Sequence, residues 1–231
     1  MSEFVRIPVL DAIQCLQVRD AIHANRHHWT SRIPQLPFYT LGVASYLDAE
    51  ISKAHYYRSA HDSRPLLWET FGWLYEMVAS ALSTHFKQTV VYDPAYALPG
   101  FHIFLAHPAF IQAIAAVHWD AQHLALDWSS QTDFARPVSF TLPITLPSKG
   151  AGLNYWDYEW QPDVPADAVN LKQILSALPT HNIEYAVGEM VVHSGRLLHQ
   201  IAPAHEYQPQ DERITLQGHA LLSQGDWKLY W

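Results

Sequence analysis

Cysteine is almost missing from this chain: Cys15 is the single one in 231 residues. That excludes an internal disulfide and fits a reducing compartment, and a lone cysteine in a helical stretch reads as a small core residue rather than a nucleophile. No apolar run approaches the roughly 18 residues of a membrane span. The opening Met-Ser-Glu-Phe-Val-Arg-Ile-Pro has neither the basic nor the apolar region of a leader. A soluble, cytoplasmic protein with no membrane partner is expected. Positive charge is also short, 14 Lys and Arg against 22 Asp and Glu for a net −8, the reverse of the basic footprint that nucleic-acid binding needs. Internal repeats and low-complexity tracts are lacking as well.

What the chain does have is apolar mass, 49% hydrophobic and 13% aromatic residues, ample for a buried core. Asp11 with Gln14 forms a capping-box pattern, and Leu10, Ile13 and Leu16 or Gln17 trace an irregular helical stripe to about His28. Residues 29–37 are punctuated by prolines and read as a loop, and Phe38 to Tyr46 as a strand broken at Gly42. Ser63-Arg-Pro65 reads as a helix start, and Leu67, Trp68, Phe71, Leu74, Tyr75, Val78 and Leu82 then recur at three and four, predicting an amphipathic helix over 65–86 that buttresses a sheet.

From Thr89 the period shortens to two. Strands are expected at 89–92, 100–106, 115–124, 138–146, 152–159, 185–194, 198–203, 212–222 and 226–231, with a short helix around 166–178. Helices first and then many short strands predict a mostly β protein with flanking α-helices, built on a double-stranded β-helix (jelly-roll or cupin-like) core. The expected organisation is a single domain, with 1–88 a mainly helical support and 89–231 the core.

Within that half stands Val117-His118-Trp119-Asp120. On one extended strand, His118 and Asp120 share a face and Trp119 takes the other. Two histidines and a carboxylate suit a non-haem Fe(II) that keeps open positions. The second histidine is sought in Gly188 to Pro203, where His199 follows an apolar run, a Ser-Gly turn signal and a Leu pair. Further on, Arg213-Ile-Thr215 puts a guanidinium and a hydroxyl on one strand face, suited to gripping a carboxylate by parallel bonds. With 15 His and 22 acidic residues, about one H-x-D/E pair is expected by chance. The order of the parts therefore matters more than the motif.

That order, H-x-D, then His in a Gly-Arg-Leu-Leu-His-Gln-Ile-Ala-Pro setting, then Arg-x-Thr, resembles the Fe(II)/2-oxoglutarate-dependent dioxygenases, in the branch of the phytanoyl-CoA and prolyl hydroxylases. The resemblance covers residues from Leu98 onward. It implies that His118, Asp120 and His199 hold iron, that Arg213 assisted by Thr215 anchors 2-oxoglutarate, and that O2 is consumed with release of succinate and CO2. Two departures stand out. The His199 to Arg213 interval is a few residues longer than usual, the excess falling in 204–212. Residues 107–116 separate the strand Leu98 to Phe104 from the H-x-D motif, which relatives join directly.

His193 is a competing ligand, but its apolar run favours a structural role; His102 and Phe104 are candidates to line the pocket. Nucleic-acid demethylases carry a second arginine six positions after the first, where this chain has His219, and related halogenases replace the carboxylate with Gly or Ala, where it has Asp120. The expected reaction is oxidation, by hydroxylation, of a C–H bond in a small polar metabolite such as a free or modified amino acid. Residues 96–101, 121–136 with Arg136, and 154–160 would frame the pocket. The alternatives are a cupin-like metal-dependent hydrolase or isomerase that has no need of Arg213, a peptide or protein side-chain hydroxylase, and a non-catalytic β-sandwich binding protein.

Overall fold

The computed structural model describes residues 4–161, 164, 169–206 and 208–231. A short strand β1 (Val5–Pro8) leads into α1 (Ala12–Ala24), which opens with the expected capping box. The Asp11 carboxylate accepts from the Gln14 amide at 2.8 Å and the Gln14 side chain accepts from the Asp11 amide at 2.9 Å. The buried face differs from the one expected. Cys15, Val18 and Ile22 face inward, whereas Ile13 and Leu16 are 69% and 56% exposed. Burial pushes the Cys15 thiol up to about 11, so it stays protonated and inert.

Residues 29–37 are not wholly loop, since β2 (Thr30–Ser31) pairs with β3 (Phe38–Leu41). A short helix α2 (Ser45–Ile51) follows, and then α3 (Lys53–Phe86), which starts ten residues before the Ser63-Arg-Pro65 signal. Its N-cap is Ser52, whose hydroxyl accepts from the His55 amide at 3.0 Å, and Pro65 lies inside the helix. An interior proline costs about 3 kcal/mol. The extra turns offset it by burying Tyr56 and Ala60, and the Tyr56 hydroxyl donates to the Trp231 carbonyl and accepts from the Ala97 amide. Downstream, Leu67, Phe71, Leu74, Tyr75, Val78 and Leu82 are all buried, as their spacing predicts, while Trp68 is half-exposed.

The remaining strands are β4 (Val90–Tyr92), β5 (Gly100–Leu105), β6 (Thr132–Thr145), β7 (Leu153–Glu159), β8 (His181–Ile183), β9 (Glu189–Ser194), β10 (Leu197–Ile201), β11 (Glu212–Ser223) and β12 (Asp226–Tyr230). Helix α4 (Leu171–Ala177) precedes β8; the first residues of the helix expected around 166–178 lie outside the described residues. The expected strand over 115–124 is not formed. That segment makes one isolated bridge, His118 with His199, and then coils into a 3-10 turn at Gln122–Ala125.

The strands form two sheets. The larger runs β1-β9-β6-β11-β5-β3-β2, with β12 on β11 and β4 on β12; the smaller is β10-β7-β8. Apart from the parallel β12 and β4 pair, every pairing is antiparallel. Alternation gives the larger sheet two unlike faces. Leu41, Phe101, Ile103, Phe140, Leu142, Met190, Val192, Ile214 and Leu216 join α1 and α3 in the main core. The opposite face carries Thr40, His102, Ser139, Thr141, His193, Arg213, Thr215 and His219, all buried polar groups. A core of Leu153 and Tyr185 against Val191 places the smaller sheet over that polar face. No described helix is long and apolar enough to cross a membrane.

Close packing at the lumen floor is testable at Gly100. A Cβ built there lies 2.0 Å from the Trp231 ring and 2.8 Å from the Leu41 carbonyl oxygen. Gly100→Ala is expected to cost about 1–3 kcal/mol, read as a lower denaturation midpoint with an unchanged slope. An unchanged midpoint would contradict this packing.

Candidate metal and co-substrate site

Between the two sheets, one ligand atom from each of His118, Asp120 and His199 lies within 4.8 Å of the others, the one group of at least three such donors among the described residues. His118 and His199 meet through reciprocal main-chain bonds, the His118 amide to the His199 carbonyl at 2.9 Å and the His199 amide to the His118 carbonyl at 2.8 Å. The Asp120 amide donates to the Gly195 carbonyl at 2.7 Å. The convergence expected of a strand is thus achieved by a single bridge and one further backbone bond. Trp119 points away, as expected, and stacks on Trp160 at 5.9 Å between ring centroids.

The tautomers follow from the hydrogen bonds. Nδ1 of His118 lies 2.9 Å from the Ala116 carbonyl oxygen and Nδ1 of His199 lies 2.8 Å from that of Leu197. A carbonyl only accepts, so each Nδ1 carries the ring proton and each Nε2 keeps a lone pair. Both Nε2 atoms are 3.7 Å from Asp120, His118 from Oδ1 and His199 from Oδ2. Burial pushes the His199 imidazole down to about 3, so it is neutral at physiological pH, the form that binds metal. Burial alone would raise the Asp120 carboxyl. The facing imidazoles of His199, His219 and His118 outweigh that and hold it well below the usual carboxylate range. Two imidazole lone pairs and one carboxylate, with the His118 side chain 45% exposed and the other two 7–9% exposed, fit a divalent iron approached from one side.

A chain of donors supports the carboxylate. Ser139 Oγ is 2.5 Å from Asp120 Oδ2 and donates to it. His219 Nδ1, 3.0 Å from the same hydroxyl, must then donate to Ser139, which leaves His219 Nε2 to accept from the Gln122 amide at 2.5 Å. His219 occupies the place where the resemblance had only ruled out an arginine. Sequence alternation puts it on the Arg213 face, and that was the available signal; nothing in the sequence marked Ser139 or Gln122. His193 neighbours His199, with ring centroids 5.0 Å apart, but it is not in the three-donor group.

Arg213 lies on the same polar face of β11. Its Nε donates to the Ala151 carbonyl at 3.0 Å and Nη1 to Thr215 Oγ1 at 3.3 Å, while Nη2 is buried with no partner. The guanidinium lies over the Phe104 and Tyr185 rings, 5.6 and 5.9 Å from their centroids. Burial lowers it to about 10, so it remains a cation at neutral pH. A buried cation with an unspent donor fits an incoming carboxylate. Beside it opens an apolar cavity whose lining includes Phe104, Phe110, Ile114, Ala151 and Ile201. Residues 107–116, which interrupt the expected run into H-x-D, thus supply one wall of it.

The framing segments fare unevenly. Phe101 faces the helical core and Tyr96 is buried with its hydroxyl on the Asp127 carbonyl, so neither lines the lumen. Arg136 is exposed and paired with Asp133. Arg32, in the stretch read as a loop, is half-buried and makes a two-pronged pair with buried Asp48 at 2.8 and 2.9 Å.

Two outcomes follow. His199→Ala should abolish stoichiometric binding of Fe(II) or Mn(II) in anaerobic calorimetry, and Ser139→Ala should weaken it by roughly 10-fold while leaving the fold intact. Normal metal stoichiometry in His199→Ala would remove it from the site. Burial holds His199 at about 3 and His123 and His219 at about 4, against 6.5 for free imidazole. The unfolded chain then binds more protons between pH 6.5 and 4, so stability must fall as pH drops through that window. The expected loss at pH 5 relative to pH 7 is on the order of 1–2 kcal/mol per imidazole, measured by denaturant unfolding of the metal-free protein.

A family model described as the carrier-protein-independent halogenase WelO5 matches residues 120–231. No curated protein matches the chain. Among solved structures, an N-substituted L-amino acid dioxygenase from Burkholderia ambifaria AMMD, in complex with α-ketoglutarate (2-oxoglutarate), aligns with a TM-score of 0.61 at 15% identity, over 99% of this chain and 86% of that one. AviO1 from Streptomyces viridochromogenes Tue57 aligns at 0.54 and 15%, over 94% and 89%. The non-haem α-ketoglutarate-dependent epimerase SnoN from nogalamycin biosynthesis aligns at 0.52 and 13%, over 94% and 77%. The jelly-roll thus bears out, in its fold, the resemblance read from the sequence: the fold of this chain is that of the non-haem iron and 2-oxoglutarate-dependent oxygenases.

Proposed function

We propose that this protein is an Fe(II)- and 2-oxoglutarate-dependent oxygenase that hydroxylates an unactivated C–H bond of a small polar metabolite such as a free or modified amino acid. The observation that carries the reading is one lumen holding both the His118, Asp120 and His199 donors and the unpartnered Nη2 of buried Arg213. Bound there, Fe(II) supplies the oxidising chemistry with O2, converting 2-oxoglutarate to succinate and CO2 as one oxygen atom enters the substrate.

The chain's own residues divide the remaining work. His118 and His199 present Nε2 lone pairs, and Asp120 offers a carboxylate that Ser139 keeps oriented. Arg213, with the Thr215 hydroxyl, holds the far carboxylate of 2-oxoglutarate, and the nearby Phe104 and Tyr185 rings keep water from the guanidinium. A hydrolase or isomerase on this fold has no use for a buried arginine with a free donor, which disfavours that alternative. That an oxygenase of this fold acts on N-substituted L-amino acids is in keeping with this substrate class.

Halogenation is the second reading, because the matching family model is a halogenase and its match starts at Asp120 itself. A halide needs the position that this carboxylate fills, so hydroxylation is favoured.

Arg213→Ala removes a desolvated ionic partner worth about 2–5 kcal/mol, so 2-oxoglutarate should bind the Mn(II)-loaded protein more weakly by roughly 30-fold or more. Unchanged affinity would move the anchor elsewhere. Iron-loaded wild type, offered a panel of free and N-substituted amino acids in chloride buffer, is expected to form succinate in step with a hydroxylated product. A chlorinated product would overturn the role of Asp120, and turnover with peptides alone would overturn the substrate class.

A further inference from the structure

A second unspent donor lies across from the first. His102 on β5 is paired in register with Thr215 on β11, and Phe104 with Arg213, so His102, Thr215 and Arg213 share the lumen face of adjacent strands. Arg213 Nη1 reaches Thr215 Oγ1, which brings the guanidinium toward the residue directly opposite His102. The imidazole is buried among Phe38, Phe104 and Trp231, with ring centroids 5.3, 6.2 and 5.3 Å away.

Its Nε2 is 2.5 Å from the Tyr46 hydroxyl, and its Nδ1 is buried with no partner. Burial pushes the Tyr46 phenol up and the His102 imidazole down, so the phenol keeps its proton and the ring is neutral. The phenol O–H has no other acceptor among the described residues, and donation to Nε2 satisfies it; in that arrangement the ring proton sits on Nδ1 as an unused donor. Tyr46 itself is held in place. It lies in the first turn of α2, where Asp48 accepts from the Ala44 amide at 2.9 Å and both Asp48 oxygens are gripped by Arg32, which also donates to Thr40 Oγ1 at 2.7 Å.

A buried donor without an acceptor is costly, because it has given up its water and gained no partner. Two such groups, His102 Nδ1 and Arg213 Nη2, belong to residues that adjoin Thr215 on one sheet face, His102 across the strand pair and Arg213 two places along β11. We propose that His102, fixed by Tyr46, is a second anchor for the far carboxylate of 2-oxoglutarate, donating from Nδ1 alongside Arg213. This rests on the reading of Arg213 as the first anchor. It assigns the Arg32, Asp48 and Tyr46 relay a positioning role, since the relay holds the tautomer that makes His102 a donor.

The test measures binding rather than turnover, on anaerobic Mn(II)-loaded protein titrated with 2-oxoglutarate and with 2-oxobutyrate, which keeps the chelating end but lacks the far carboxylate. His102→Ala should weaken 2-oxoglutarate by roughly 10-fold and leave 2-oxobutyrate and Mn(II) binding unchanged. His102→Asn, whose amide N–H can take the place of Nδ1–H, should recover most of the loss. Should His102→Ala fail to fold, Tyr46→Phe frees the tautomer and should still weaken 2-oxoglutarate selectively, by about 3-fold. Equal weakening of both acids, or no weakening of either in a folded variant, overturns the assignment. If Arg213→Ala also leaves 2-oxoglutarate untouched, the anchor reading itself falls; if only the Arg213 variant weakens it, the His102 inference fails alone.

Discussion

Two reciprocal hydrogen bonds between the main chains of His118 and His199 carry more of this site than any other contact. They join a segment with no strand partner of its own to the first strand after the Ser194 turn. In doing so they set two imidazoles side by side, with ring centroids 4.4 Å apart. The bond from the Asp120 amide to the Gly195 carbonyl then fixes the angle at which the third donor enters. Side-chain bonds to Ala116 and Leu197 orient the rings only because the backbone has already placed them. A metal site with three protein ligands depends on such preorganisation, because no fourth ligand corrects an error.

That constraint explains the unusual distribution of polarity. One face of the larger sheet is apolar and covered by α1 and α3; the other is lined by buried histidines, hydroxyls and an arginine. Burying so many polar groups is costly unless each finds a partner. Most do: Ser139, His219, Gln122 and Asp120 form one continuous chain, and Arg32, Asp48, Thr40 and the Ala44 amide form another. Among the buried groups left without a partner, Arg213 Nη2 and His102 Nδ1 lie on this polar face, where a ligand would complete the network.

The halogenase model and Asp120 illustrate how fold and chemistry separate. A family description can match half a jelly-roll because the strands, turns and apolar alternation are shared. One side chain, the Asp120 carboxylate, stands at the position where that match begins. Here that carboxylate is also tied to Ser139 and through it to His219, so a chain of donors, and not Asp120 alone, is built around a carboxylate.

The sequence by itself determined the class of fold, most of the strands from Val90 onward, the inward stripe of Leu67 to Leu82, the Asp11 capping box, and the candidate donors His118, Asp120 and His199 that the structure brings together. These are written in local periodicity and in side-chain chemistry, which need no knowledge of distant neighbours. Only the tertiary structure decided the rest. Helix α3 begins at Lys53 rather than near Pro65 because Tyr56 finds partners at Ala97 and Trp231. The 115–124 stretch is a bridge and a turn rather than a strand, because its one available edge is His199. Ser139, Gln122 and the His102 and Tyr46 pair joined the site through contacts between residues far apart in the chain. Periodicity predicts which face a residue takes; it carries no information about which other segment will lie across from it.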